Sequence, residues 1–289
     1  VTFRKAVLSL AVLLIATVPL ALAQGTYTQI DVPGGFPSVA LGINNAGDLV
    51  GSYSGHNGKV DGFLFSGGVY TSIDYPGAQF TYLSGINAAG QIAGYYAGSN
   101  FIYSGFLYDV STQAFTPISY PAAIETIVTG INDTGAIVGV AKLSATMRVG
   151  FELIGSTYKQ IVLGDDRIYD LAVSANGLIA GTGQSRGSTS YANFLFDRGE
   201  FEPLAIPLPF AQVLGISPDG TALVGDYTPS IIVGFLYQEK ILTKLKFPGG
   251  QQTWPYCVND SGVVVGWFFN PDGIQHGFTW TPPADAAKK

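Results

Sequence analysis

Gly42-Ile43-Asn44-Asn45-Ala46-Gly47-Asp48-Leu49-Val50-Gly51 returns as Gly85-Ile86-Asn87-Ala88-Ala89-Gly90-Gln91-Ile92-Ala93-Gly94. It returns again as Gly130-Ile131-Asn132-Asp133-Thr134-Gly135-Ala136-Ile137-Val138-Gly139, and weaker copies begin at Ala172, Gly215 and Cys257. The turn glycines Gly47, Gly90, Gly135, Gly177, Gly220 and Gly262 recur every 42 to 45 residues. Self-similarity at that period marks a repeat architecture. Around the quoted stretch each copy divides into four short apolar segments, A to D. Segment A ends in Gly-Ile-Asn and segment B is the Leu-Val-Gly type. Segment C is the Gly-Phe-Leu-Tyr type (Gly62 to Phe65, Gly105 to Tyr108, Gly234 to Tyr237), and segment D the Tyr-Thr-x-Ile type (Tyr70 to Ile73). Four short strands per copy, punctuated by Gly, Asn and Asp, are the pattern of propeller blades.

The count of D segments bears on topology. The sixth copy stops after segment C at Trp280, followed by Pro282-Pro283, while an unattached D segment, Tyr27-Thr28-Gln29-Ile30-Asp31, stands near the N-terminus. The expectation is an all-β, six-bladed propeller of four-stranded antiparallel blades, closed when residues 27–31 pair with segment C around Phe278 to Trp280. Closure hides edges that otherwise template aggregation. Gly42, Gly85, Gly130, Ala172, Gly215 and Cys257 share one position, where small side chains let inner strands converge; Cys257 therefore reads as a buried small residue.

The 289 residues are 47% hydrophobic and 12% charged, with 38 glycines, which suits a packed all-β domain and not a disordered chain. Arg4 and Lys5 precede an apolar run from Ala6 to Leu20 and the small-x-small site Ala21-Leu22-Ala23, the layout of a secretory signal peptide. The domains expected are a leader over 1–23, a single propeller over 24–283 and a short tail over 284–289. Export to the periplasm or the medium follows, without membrane insertion after cleavage. One cysteine allows no internal disulfide. Loss of the leader takes the net charge from −6 to −8, and an acidic chain without a basic run is a poor binder of nucleic acid.

The runs Gly-Ile-Asn-x-x-Gly, Gly-Phe-Leu-Tyr and Tyr-Thr-x-Ile-Asp-x-Pro-Gly resemble the bacterial extracellular HAF repeat family over about residues 27 to 280. The fourth copy departs, with Ala172-Val173-Ser174 for Gly-Ile-Asn and Asn193 for the glycine before Phe194. The resemblance implies export and a repetitive β fold. It implies no activity and carries over no functional residue.

No nucleophile elbow, HExxH, P-loop or dinucleotide fingerprint occurs, so no catalytic residue, cofactor or metal is expected. The Asn-x-x-Gly segments read as turns and not calcium loops, because the first two copies lack a carboxylate before the glycine. The B–C loops vary most while the framework repeats, which fits recognition on a rigid scaffold. The candidate ligand-binding residues are His56, Asp61, Tyr103, Arg186, Tyr191 and His276 in or beside those loops, with Tyr82, Tyr169, Trp254 and Tyr256 near the channel mouth. His56 and His276 read as loop residues. The function expected is a monomeric, non-enzymatic binding or scaffold propeller recognising a glycan or a cell-surface protein. The alternative is a hydrolase or lyase acting on polysaccharide or lactone at the central channel, which needs a pair of carboxylates there.

Overall fold

The computed structural model describes residues 20–22, 25–55, 58–164, 167–184, 188 and 190–284. All regular structure among them is β, and none forms a helix long and apolar enough to cross a membrane. Strands β1 (Leu20–Leu22) and β2 (Thr26–Ile30) precede the first copy. The copies then follow as antiparallel quartets. The first two are β3 (Ser38–Ile43), β4 (Leu49–Ser54), β5 (Val60–Ser66), β6 (Val69–Ile73); and β7 (Phe80–Ile86), β8 (Gln91–Ala97), β9 (Tyr103–Asp109), β10 (Ala114–Ile118). The next two are β11 (Glu125–Ile131), β12 (Ile137–Lys142), β13 (Arg148–Ile154), β14 (Thr157–Ile161); and β15 (Arg167–Val173), β16 (Ile179–Gln184), β17 (Ala192–Asp197), β18 (Glu200–Pro203). The last are β19 (Gln212–Ile216), β20 (Ala222–Tyr227), β21 (Val233–Gln238), β22 (Ile241–Leu245); and β23 (Gln252–Val258), β24 (Val264–Phe269), β25 (Gln275–Thr281).

The protein is thus an all-β propeller fold with four-stranded antiparallel blades. The expectation of six separate four-stranded sheets needs correction. Among the described residues, hydrogen bonding defines five sheets, of which three have four strands: β11 to β14, β15 to β18, and β2 with β23 to β25. The first two quartets share one eight-stranded sheet because Val60 bridges Phe80 in parallel, its N–H donating to the Gln79 carbonyl. The fifth quartet gains a fifth strand, because the backbone of β1 runs parallel along the outer edge of β22. An unpaired edge accepts such a strand readily. β1 lies within the segment read as a leader and would depart with it.

The orphan D segment pairs where the strand count placed it. Tyr27 lies opposite Trp280, Thr28 opposite Thr279 and Ile30 opposite Gly277. The core contains matching contacts: Ile30, Ala40, Ile43, Leu49 and Phe63 of the N-terminal segments pack with Val265 of β24.

The Gly-Phe pattern has a direct physical cause. Phe63, Phe106, Phe151, Phe194, Phe235 and Phe278 of the C strands are all fully buried, and each lies opposite the glycine of its B strand, as Phe106 does Gly94. A Cβ on Gly94 would stand 2.7 Å from the Phe106 ring. The glycine vacates the space and the ring covers its backbone. The small first residues of the repeat also approach one another: a Cβ on Gly42 would lie 2.9 Å from the Gly85 Cα.

The Asn of Gly-Ile-Asn does two jobs. Its Oδ1 closes the turn, as Asn87 Oδ1 does by accepting from Ala89 and Gln91 N–H. Its Nδ2 reaches the following copy: Asn44 donates to the Asn87 carbonyl, Asn87 to that of Asn132, Asn132 to that of Ser174, and Asn259 to that of Asn44. These amide oxygens are engaged by N–H donors, as the turn reading required. Asn87→Ala should therefore lower stability by about 1–3 kcal/mol, since it orphans buried partners on two copies. Urea denaturation measures this; a loss under about 0.5 kcal/mol would mean that the inter-copy bond is idle.

Candidate functional site

The first strands of all the copies, β3, β7, β11, β15, β19 and β23, line one cavity of about 240 Å³. In five of them a β-bulge sets the residue before the Gly or Cys out of register, and these residues, Leu41, Ser84, Thr129, Leu214 and Tyr256, line the cavity. Bulges re-aim side chains in this way. The fourth copy differs. Its bulge falls at Tyr169, so that Leu171 takes the place opposite Gly181 and Asp170 turns to the cavity. The Ser84 and Thr129 hydroxyls are spent on neighbouring carbonyls, Val128 at 2.8 Å and Leu171 at 2.6 Å.

Among the described residues, Asp170 is the one carboxylate that an inner strand aims into the cavity; Asp133, at a turn of the other end, accepts from the Ala88 N–H. Asp170 accepts the Leu171 N–H at 2.9 Å, and burial pushes its carboxyl from the ordinary 3.8 up to about 7, that hydrogen bond opposing the rise. A second carboxyl, Asp226 on β20, is 2% exposed, and its Oδ2 has no hydrogen-bond partner. Burial alone raises it to about 7. Burial also drives the Tyr95 and Tyr256 hydroxyls well above the tyrosine range; the charge of Asp170 adds to both rises and that of Asp226 to the rise at Tyr256. Cys257 is half-buried: it lines the cavity and packs against the core around Ile30, Ala40 and Phe63, less covered than its reading as a buried residue implied. Desolvation raises its thiol pKa, so it stays protonated.

The aromatic candidates fall into three groups at one rim, where A strands start, B strands end and C strands start. Tyr82 of β7 stacks on Tyr95 of β8 at 4.9 Å, with Tyr103 edge-on to both. Trp254 of β23 stacks on Trp267 of β24 at 3.8 Å, with Phe269 edge-on. Tyr169 meets Tyr191 edge-on at 6.3 Å and donates to Gln184 Oε1. Tyr256 stands apart in the cavity.

His276 is not a loop residue. It sits within β25, 6% exposed, stacked on Phe268, with Nδ1 2.9 Å from Asp31 Oδ1 and 3.0 Å from Gln29 Nε2. It fastens the N-terminal segment and is buried there, not presented on a loop. Asp61 lies within β5 opposite Tyr53, its carboxyl raised by burial and by nearby Asp74, away from the cavity. His56 and Arg186 lie outside the described residues. Among the described residues, no three His, Cys, Asp or Glu side chains gather as a metal site would require.

Sequence reasoning missed Tyr95, Trp267 and Asp226. All three follow the glycine of a B strand, where other copies have Ser52, Val140 and Thr182. A carboxylate breaking that column was the available signal.

The fold has solved counterparts, and each likeness concerns the fold alone. A gluconolactonase of Xanthomonas campestris superposes with a TM-score of 0.57 at 11% identity over 91% of each chain. An Aleuria aurantia lectin in complex with Fucα1-6GlcNAc gives 0.54 at 12% identity, over 87% of this chain and 97% of the lectin. TolB of Acinetobacter baumannii gives 0.54 at 16% identity; this chain spans 58% of its length. No family model and no curated protein sequence matches the chain.

Proposed function

We propose that the quartets close into a six-bladed ring and that this ring is an exported, monomeric glycan-binding protein of the HAF repeat type, without enzymatic activity. The pairing of β2 with β25 and the return of the Asn259 amide to Asn44 support closure. The observation that carries the binding reading is the rim of half-buried stacked aromatics, Trp254–Trp267 and Tyr82–Tyr95, each held rigid by its cross-strand partner. Sugar rings present C–H faces that pack on such platforms, and a rigid aromatic loses little entropy on binding. A glycan array probed with wild-type protein and with Trp254→Ala tests this. Binding to a defined glycan class is expected, weakened about tenfold by the variant, which corresponds to about 1.4 kcal/mol. Absence of binding to every glycan and wall polymer, with a surface protein captured instead, would overturn it.

The hydrolase or lyase reading draws on Asp170, a carboxyl near 7 in the axial cavity and thus suited to donate a proton at neutral pH. A two-carboxylate mechanism also needs a base facing the same space, and Asp226 lies outside the cavity lining. Turnover of a polysaccharide or lactone that disappears in Asp170→Asn would favour this reading over binding alone.

A further inference from the structure

The arginines bear on which glycan. Arg148 opens β13 and Arg167 opens β15 of the next quartet, and the two share one small cleft of about 150 Å³ with Lys142 and Tyr169. Lys142 and Arg148 are direct cross-strand partners, and like charges in that relation repel. Lys142 is neutralised by Glu125 at 2.8 Å. Among the described residues, neither guanidinium has a carboxylate within ion-pair distance. Arg167 Nε is buried without a hydrogen-bond partner. Two guanidiniums in one cleft with no carboxylate partner among the described residues, one of them with an unmet buried donor, stand out in a chain whose net charge is −6. Breaks of this kind in local consistency concentrate at functional sites.

We propose that this cleft binds the carboxylate of an acidic sugar, a uronic acid unit within a polysaccharide. The guanidinium fork matches a carboxylate in two parallel hydrogen bonds. Tyr169, whose ring reaches both this cleft and the axial cavity, supplies an apolar wall for the sugar ring, with Tyr191 edge-on behind it. The inference rests on the glycan-binding reading and adds the charge of the ligand to it.

The test is calorimetric titration of the full chain with oligogalacturonate and with its methyl ester, at low and moderate salt. Wild type is expected to bind the free acid at least about tenfold more tightly than the ester, with affinity falling as salt rises. Arg148→Gln combined with Arg167→Gln should abolish that preference while leaving the melting temperature level or higher, because it removes unpaired charge. A melting temperature that falls sharply would show that the arginines serve the fold, and would overturn the proposal. So would equal binding of acid and ester by wild type, or a preference that survives the double substitution; either leaves the glycan reading standing. Failure of both oligosaccharides and of the whole array would remove the two readings together.

Discussion

Removal of residues 24–33 should make the protein aggregate and should expose its last quartet to early proteolytic cleavage. The melting temperature should fall by about 10 °C or more, if a transition survives. The deletion strips β25 of its partner over five residue pairs, from Thr26–Thr281 to Ile30–Gly277. It uncovers Phe278, against whose ring Tyr27 packs at 5.9 Å, and Phe247 at 5.4 Å from the same tyrosine. It also takes away Asp31 and Gln29, leaving buried His276 with only Asn270 at its Nε2. An exposed strand edge over an apolar face invites pairing with another chain. Limited proteolysis and a thermal scan decide the matter. A truncated protein with wild-type melting and digestion would make β2 dispensable and the proposed ring an open arc.

The second large effect is a pH dependence centred on Asp226. Its carboxyl is raised in the folded state from 3.8 to about 7, so the folded protein holds a proton that the unfolded chain releases. Its contribution to stability is therefore full below about pH 4, declines between 4 and 7, and is lost above 7. The gap corresponds to about 4 kcal/mol as an upper bound. Asp226→Asn should thus stabilise the protein at pH 8 by up to that amount and change little at pH 4. Urea denaturation at pH 8, 6.5 and 5 reads the slope directly; an unchanged slope in the variant would show that Asp226 is ionised and solvated. Asp170 adds to the wild-type slope over the same window. The orphaned oxygen has a sequence cause. One copy earlier, Thr182 occupies the same strand position and its Oγ1 accepts the Val213 N–H. The residue standing in the last copy where Val213 stands is Pro255, which has no N–H to give.

Strands and turns were legible because the repeat averages out local ambiguity: one C-strand Phe or one turn glycine is weak, but six in phase are not. The D strands read from sequence agree with those in the structure to within a residue, as Tyr70 to Ile73 does against Val69–Ile73. What joins the copies was not legible. The bridge from Val60 to Phe80 is one backbone contact with no side-chain signature. His276 was read as a loop residue because polar neighbours surround it in sequence, whereas Asp31, the partner that holds it in the sheet, is 245 residues away. At the rim, Tyr82 and Trp254 were legible as aromatics near a mouth, but their stacking partners Tyr95 and Trp267 come from cross-strand register. The arginine cleft left no motif at all, since Arg148 and Arg167 open strands of different quartets.

The amide contacts between turns run in one sense around the protein, so they act as a belt whose links differ in strength. Two links lack the asparagine: Ser174 and Ser217 have no side-chain amide, and the turns there are tied by the Ala175 N–H to the Pro218 carbonyl and by the Asp219 N–H to Asp260. The link that joins the two ends of the chain is fastened more heavily. Asn259 donates to Asn44, Asn45 donates to Asp260, and the Asp260 N–H returns to Asn45. In the proposed ring, the junction between the two ends of the chain would therefore be held by more turn-to-turn hydrogen bonds than the joints around Ser174 and Ser217, where the polypeptide itself runs on from one copy to the next.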